Sequence, residues 1–211
     1  MHGVAITLQD VSYSVALKKK KRLVILDKIN ACFKPGRLTA LMGASGSGKT
    51  TLLDVCAMRK NSGRTEGAVL FGGHTPNLSL LREATGYVEQ FDTLVSELTV
   101  QQMLMYTASL KLPTTLTSKE RLESVDEVID KLGLRKCRHT VIGDPLKRGI
   151  SGGQAKRVNI GLALITRPAV IFLDEPTSGL DSFMANEVAN SLHALAAEGR
   201  TIVATIHSPT S

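Results

Sequence analysis

Arg37-Leu38-Thr39-Ala40-Leu41-Met42-Gly43-Ala44-Ser45-Gly46-Ser47-Gly48-Lys49-Thr50-Thr51-Leu52-Leu53 holds a short apolar strand, a glycine-rich loop and the first turn of a helix in one run. Within it, Gly43 to Thr50 fits G-x-x-x-x-G-K-[ST]. Glycines let the backbone wrap an anion closely, so that successive N–H groups and the positive end of the helix face it. In that arrangement Lys49 reaches the outer phosphates of a nucleotide, and the Thr50 hydroxyl ligates Mg²⁺. A Gly/Ser linker could match the spacing by chance, but it would lack the buried strand before and the helix after. The stretch predicts an α/β domain that binds nucleotide phosphate, and nothing finer.

The strands on either side support that class. Val4 to Val11, Leu23 to Phe33, Ala68 to Phe71, Gly86 to Glu89, Ala169 to Leu173 and Thr201 to Ile206 read as further strands, with Lys34-Pro35-Gly36 as a turn and Asn61 to Gly67 as a loop. Helical patterns cover Thr99 to Leu110, Ser118 to Leu132, Ser151 to Leu164 and Ser182 to Ala197. In the second of these, Thr117-Ser118 supply an N-cap, and Leu122, Val125, Val128, Ile129 and Leu132 form one stripe. Strand–loop–helix alternation with continuous apolar strands signals a largely parallel sheet.

Val170-Ile171-Phe172-Leu173-Asp174-Glu175 puts two carboxylates at the C-terminal edge of a strand, where ligands bind in open α/β sheets. Beside a phosphate loop, Asp174 would hold Mg²⁺ through water and Glu175 would polarise the attacking water.

Bulk properties narrow the partners. The chain has 211 residues, 43% hydrophobic and 21% charged, an ordinary globular mix for one large domain or a domain with an inserted lobe. Its net charge is +7, with a pI near 9.5, which suits anionic partners. Much of that charge lies in Lys18-Lys19-Lys20-Lys21-Arg22, read first as a solvated loop. Cys32, Cys56 and Cys137 lie in no metal-ligand spacing and read as small buried residues of a reducing compartment. No apolar run approaches the roughly 18–20 residues that span a bilayer, and Met1-His2-Gly3-Val4 does not resemble the start of a signal peptide.

Ile150-Ser151-Gly152-Gly153-Gln154, 23 residues before Asp174, resembles the signature of ABC ATPases, usually written L-S-G-G-Q. Together with the two motifs above, it identifies the chain as similar to that family. The resemblance implies a P-loop ATPase fold with a RecA-like parallel-sheet core, an antiparallel β subdomain and an inserted α-helical lobe. Residues 1–90 and 165–211 would form the core and β subdomain, and about 91–164 the lobe. Gln90 falls at the Q-loop glutamine, also a metal contact. Ser178-Gly179-Leu180-Asp181 resembles the D-loop, and His207 the switch histidine. ATP and Mg²⁺ are the implied cofactors, with Gly43 to Thr51 around the phosphates. In the family, two copies pack head to tail, so that Ser151 to Gln154 and Asp181 would meet the nucleotide held by the other copy. Each chain thus carries two half-sites.

Leu52-Leu53-Asp54-Val55-Cys56-Ala57-Met58-Arg59-Lys60, Gly86 to Gln90 with Leu98-Thr99-Val100, Leu110 to Pro113, Asp174 to Ser182, and Ile206-His207-Ser208-Pro209 resemble the G subfamily. Its members carry the nucleotide domain ahead of a membrane domain and export lipids, sterols or hydrophobic drugs. A second ABC domain and a transmembrane domain are therefore the expected partners, nucleic acid is not, and the domain is expected on the cytosolic face of a membrane. Two rival readings are a soluble ABC ATPase acting on ribosomes or nucleic acid and a subunit that binds ATP without cleaving it. The first conflicts with Glu175 to Asp181, which is not E-P-T-N-H-L-D, and the second with the full set of catalytic positions. The family's adenine-stacking aromatic falls near Val15, with Tyr13 two residues earlier on the same face, so either could meet the base. The family fold also continues past His207, which suggests a piece of a longer chain.

Overall fold

The apolar runs separate into two sheets built on opposite principles. A computed structural model describes residues 3–17, 21–144 and 146–207, with the backbone alone at 78, 80 and 82. Among these, the order is β1 (Ile6–Ala16), β2 (Arg22–Phe33), β3 (Arg37–Gly43), α1 (Lys49–Cys56), β4 (Arg64–Phe71), α2 (Leu78–Ala84) and β5 (Thr85–Val88). It continues with α3 (Val100–Lys111), α4 (Ser118–Lys131), a 3₁₀ turn at Arg135–Cys137, α5 (Gly152–Leu164), β6 (Val170–Leu173), α6 (Ser182–Ala197) and β7 (Thr201–His207).

Four strands make a parallel sheet in the order β3-β7-β6-β5. Every residue of β6 is buried, as a parallel strand covered on both faces requires. Alternation then divides its side chains between two cores. Val170 and Phe172 join one with Ile6, Leu8, Leu53 and Val203. Ile171 and Leu173 join the other with Leu104, Ile129, Val158 and Leu192 from α3 to α6. The helical segment therefore packs directly on the sheet that carries the carboxylates.

The other three strands are antiparallel, in the order β2-β1-β4, and both β1 and β4 run further than the apolar pattern suggests. Residues 64–67 belong to β4 instead of a loop. They are polar and exposed at a sheet edge, where pairing with β1 (Ser14↔Arg64, Ser12↔Glu66) does the work that hydrophobicity does elsewhere. Gly67, at φ 81, sits against a bulge at Asp10, and a Cβ there would lie 2.4 Å from the Asp10 carbonyl oxygen. β1 likewise continues past Val11 to Ala16. Helix α2 has no forecast, because its seven residues are too few to show a period.

Helix starts follow their caps. Thr99, Thr117 and Ser151 each close a capping box with the glutamine or glutamate three residues later. On α4, Val125, Val128 and Ile129 are buried as the stripe predicts. Cys56 and Cys137 are buried, whereas Cys32 is exposed, because position 32 of β2 faces away from the core that takes its neighbour Phe33. Of the basic run, Lys18 to Lys20 lie outside the described residues. Arg22 begins β2 and donates from Nη1 to Ser14 Oγ at 3.2 Å. Ser208 and Pro209 also lie outside. Among the described residues, no helix is long and apolar enough to cross a membrane.

Candidate functional site: a phosphate loop, a carboxylate pair and a distant capped helix

The loop from Gly43 to Gly48 leaves the end of β3 and enters α1. Gly48 stands at the helix N-cap with φ 91, a left-handed position that glycine adopts without cost. Its Cβ, if present, would lie 3.2 Å from Leu26 Cδ2 and 3.4 Å from the Ile25 carbonyl oxygen of β2. The antiparallel sheet therefore braces the loop from behind. Lys49 Nζ donates to the carbonyls of Gly43 (2.8 Å) and Ala44 (2.9 Å), so its ammonium is parked across the mouth of the loop. Ser45, Gly46 and Ser47 are exposed along its rim, while Thr50 and Thr51 open the helix.

Asp174 leaves the end of β6, 6% exposed. Its Oδ1 accepts from Thr50 Oγ1 at 2.9 Å and from Thr205 Oγ1 at 2.6 Å. Thr50, from the loop motif, and Asp174, from the strand motif, are thus brought together across 124 residues. Glu175 follows at φ 44, left-handed for a residue with a side chain, at a cost of roughly 1–2 kcal/mol. Its N–H donates to Thr205 Oγ1 at 2.8 Å. Its carboxylate Oε2 accepts from Gln90 Nε2 at 3.0 Å, which leaves the amide oxygen of Gln90 free of that bond. His207 ends β7 in register with Gly43, beside the start of the loop.

Gln90 is held from behind by α5. Lys156, 4% exposed, donates to the Gln90 carbonyl at 2.8 Å and pairs with Asp92 at 2.8 Å, and Asn159 Nδ2 donates to the same carboxylate at 2.9 Å. Next to Gln90, a cleft of about 350 Å³ is lined by Asp54, Arg59, Tyr87 and Asp174 among others. Tyr87 donates to Asp54 at 2.7 Å and lies 3.9 Å beneath the Arg59 guanidinium. Burial first, then the Asp54 hydrogen bond and charge, push the Tyr87 phenol well above its usual range, so it stays a donor.

Ser151 to Gln154 and Asp181 form a separate group. Ser151 caps α5, its Oγ accepting from Gln154 N at 3.2 Å while Gln154 Oε1 accepts from Ser151 N at 2.9 Å. Asp181 caps α6 by accepting from Met184 N at 2.8 Å. Gly153 N–H donates to Met184 Sδ at 3.3 Å, and a Cβ on Gly153 would lie 3.0 Å from Met184 Cβ, so glycine allows the two helix starts to meet. Ser151, Gln154 and Asp181 line a groove of about 750 Å³ that includes no residue of the phosphate loop. Within one chain, the two groups do not share a site.

Tyr13 is 3% exposed and donates to the Ser62 carbonyl at 2.7 Å, so its ring belongs to the core and not to a base. Of the two residues on that face, Val15 alone is half-buried and presentable. Sequence reasoning missed Thr205, Lys156, Asn159 and Asp92. The available signal was polarity in apolar surroundings: a hydroxyl in a buried strand, and a lysine and an asparagine three apart on the buried face of α5.

The oxygen set of Thr50, Asp174 and Gln90 fits a hard cation that keeps waters and phosphates as its other ligands. Among the described residues, no group of three or more His, Cys, Asp or Glu could hold a metal ion.

The family model described as ABC transporter matches residues 26–178. ABC transporter G family member 14 of Arabidopsis thaliana is 42% identical over 100% of this chain and 34% of its own length. ABC transporter G family member 21 of the same plant is 47% identical over 91% of this chain and 28% of its own. ABC transporter G family member 1 of Dictyostelium discoideum is 42% identical over 97% and 27%. The chain thus spans about a third or less of the length of these relatives. Among solved structures, the dimeric post-hydrolysis state of the ATP-binding cassette MJ0796 bound to ADP and Pi has a TM-score of 0.77 at 27% identity, covering 96% of this chain and 88% of that one. A phosphate loop braced by one sheet, a carboxylate pair at the edge of another and a capped signature helix facing elsewhere are now joined by a family match across most of the sequence: this chain belongs to the ABC transporter family, as an ATP-binding and ATP-hydrolysing domain of the G-family type.

Proposed function

We propose that this domain drives transmembrane export by a cycle of ATP-dependent pairing with a second ABC domain. The observation that carries this reading is the separation of the two groups. Thr50, next to Lys49, bonds Asp174, and Gln90 bonds Glu175, whereas Ser151, Gln154 and Asp181 line a separate groove. A head-to-tail partner reunites them by bringing its Ser151 and its helix N-terminus to the γ-phosphate held on this chain's loop.

In the complete site, backbone N–H groups of Gly43 to Thr51 cradle the phosphates and Lys49 turns from the Gly43 and Ala44 carbonyls to the β- and γ-oxygens. Thr50, Asp174 and Gln90 would hold Mg²⁺, which would supply charge neutralisation at the phosphates. Glu175 accepts the proton of the attacking water, and His207 stabilises the departing γ-phosphate. Val15 contributes an apolar contact to adenine, a weaker one than an aromatic ring gives. The exported compounds are lipids, sterols or hydrophobic molecules, bound in a transmembrane domain on whose cytosolic side this domain sits.

The test is a Glu175→Gln variant, followed by light scattering with and without ATP-Mg²⁺. An ATP-dependent doubling of mass with hydrolysis lost supports the reading. A variant that hydrolyses ATP at the wild-type rate removes Glu175 from the role of base.

A further inference from the structure

Strand β7 reads Thr201-Ile202-Val203-Ala204-Thr205-Ile206 and lies between β3 and β6 in the parallel sheet, so its side chains belong to the core. Position 205 is 0% exposed. A valine has nearly the same shape and carries no desolvation penalty, so a hydroxyl there needs partners to be tolerated. It has two. Thr205 Oγ1 donates to Asp174 Oδ1 at 2.6 Å and accepts from the Glu175 backbone N–H at 2.8 Å. A hydroxyl has one proton and spare lone pairs, and the two bonds use complementary sides of the same oxygen.

The register explains why the hydroxyl is needed at this level. Leu173, the last residue of β6, pairs with Ala204, so Thr205 is the first residue of β7 beyond the end of its neighbour. There the chain turns from Asp174 into the left-handed Glu175, and the ladder offers that N–H no carbonyl. The threonine oxygen takes the place of the missing ladder acceptor. The same atom, with Thr50 Oγ1 from α1, fixes Asp174 Oδ1 between two donors.

We propose that Thr205 is a positioning residue for hydrolysis: its single buried hydroxyl sets both the orientation of the Asp174 carboxylate and the backbone of Glu175, without touching nucleotide. This rests on the roles given to Asp174 and Glu175 under the proposed function. Losing the hydroxyl frees the metal-facing carboxylate and the base together, while Thr205 makes no bond to Lys49, which is held by the Gly43 and Ala44 carbonyls.

Thr205→Val, Thr205→Ser and Thr205→Cys are compared with wild type and Glu175→Gln in steady-state ATP hydrolysis at varied ATP and Mg²⁺, with thermal melting alongside. Thr205→Val lowers kcat by about tenfold or more, leaves KM for ATP within about twofold, and raises the Mg²⁺ concentration for half-maximal activity. Thr205→Ser brings kcat and the Mg²⁺ requirement back to within about threefold of wild type, which a role in methyl packing would not produce. Thr205→Cys, close in size but a weak hydrogen-bonding group, falls between them and decides the matter should the valine variant fail to fold. Wild-type turnover in the valine or cysteine variant, or a serine variant as slow as valine, overturns the assignment of Thr205. If Glu175→Gln is inactive in that case, only Thr205 loses its role; if Glu175→Gln is itself fully active, the reading of the site falls instead.

Discussion

Gln90 Nε2 donates to Glu175 Oε2 across 3.0 Å, joining two residues 85 positions apart. Their strands, β5 and β6, are neighbours in the parallel sheet, so the bond is a consequence of topology. It places the proposed base in contact with the side chain of a residue whose backbone carbonyl α5 grips from behind through Lys156. Replacing Lys156 with Met leaves the apolar stem but removes the grip on the Gln90 carbonyl. Turnover should fall several-fold more than nucleotide affinity does, because binding rests on the loop. Equal losses in kcat and in ATP affinity would show that Lys156 serves the fold only.

Lys49→Ala should act on binding directly. Its ammonium donates to two loop carbonyls and, with nucleotide present, is positioned to turn to phosphate. A charge-assisted hydrogen bond contributes about 1.5–3 kcal/mol, so the Kd for ATP should rise by roughly ten- to a hundredfold. Equilibrium titration with a fluorescent ATP analogue checks this; unchanged affinity would refute it.

Ser151 serves two ends at once, and two substitutions separate them. Ser151→Ala removes the N-cap of α5 and should cost about 1 kcal/mol of stability. Ser151→Asp keeps a capping oxygen and so should melt near wild type. Its carboxylate would nevertheless face a partner's γ-phosphate and abolish ATP-dependent pairing. An aspartate variant that still pairs with ATP would exclude Ser151 from the interface.

Acid should loosen the seam between α4 and the end of α6. Burial, the largest single influence, raises the Glu127 and Glu198 carboxyls, but the hydrogen bonds and charges of Lys131 and of Arg167 at the first and Arg200 at the second together outweigh it, so both end below the ordinary 4.5. Folded values below unfolded ones mean that this stability is complete above the ordinary value. It drains as pH falls through the lower folded values. Both glutamates are more than a third exposed, so the screened contribution is at most about 1 kcal/mol. Melting curves from about pH 6 to about pH 3.5 should show a shallower acid slope in Lys131→Met than in wild type.

The features legible in the sequence are those written in consecutive residues. Gly43 to Thr50, Asp174-Glu175 and Ser151 to Gln154 each keep their chemistry within one loop or one helix start, and the structure places each where its local pattern implies. Features made by pairing were hidden. Residues 64–67 look like a loop because an exposed edge needs no apolar alternation, and only β1 reveals them as strand. Tyr13 and Val15 share a face by alternation, but the Ser62 carbonyl that claims Tyr13 lies 49 residues away. Thr205 reads as an ordinary strand residue because its two partners sit just past the end of another strand.

The order β3-β7-β6-β5 has a mechanical consequence. β7 is flanked along its length by β3 and, over residues 201–204, by β6, so the cleaving half of the machinery is mounted on a beam clamped at both edges. Ser151 and Asp181 stand instead on exposed helix tips. Amide exchange should therefore be slowest through β6 and β7, and under the proposed pairing it should change most, on nucleotide addition, at the start of α5.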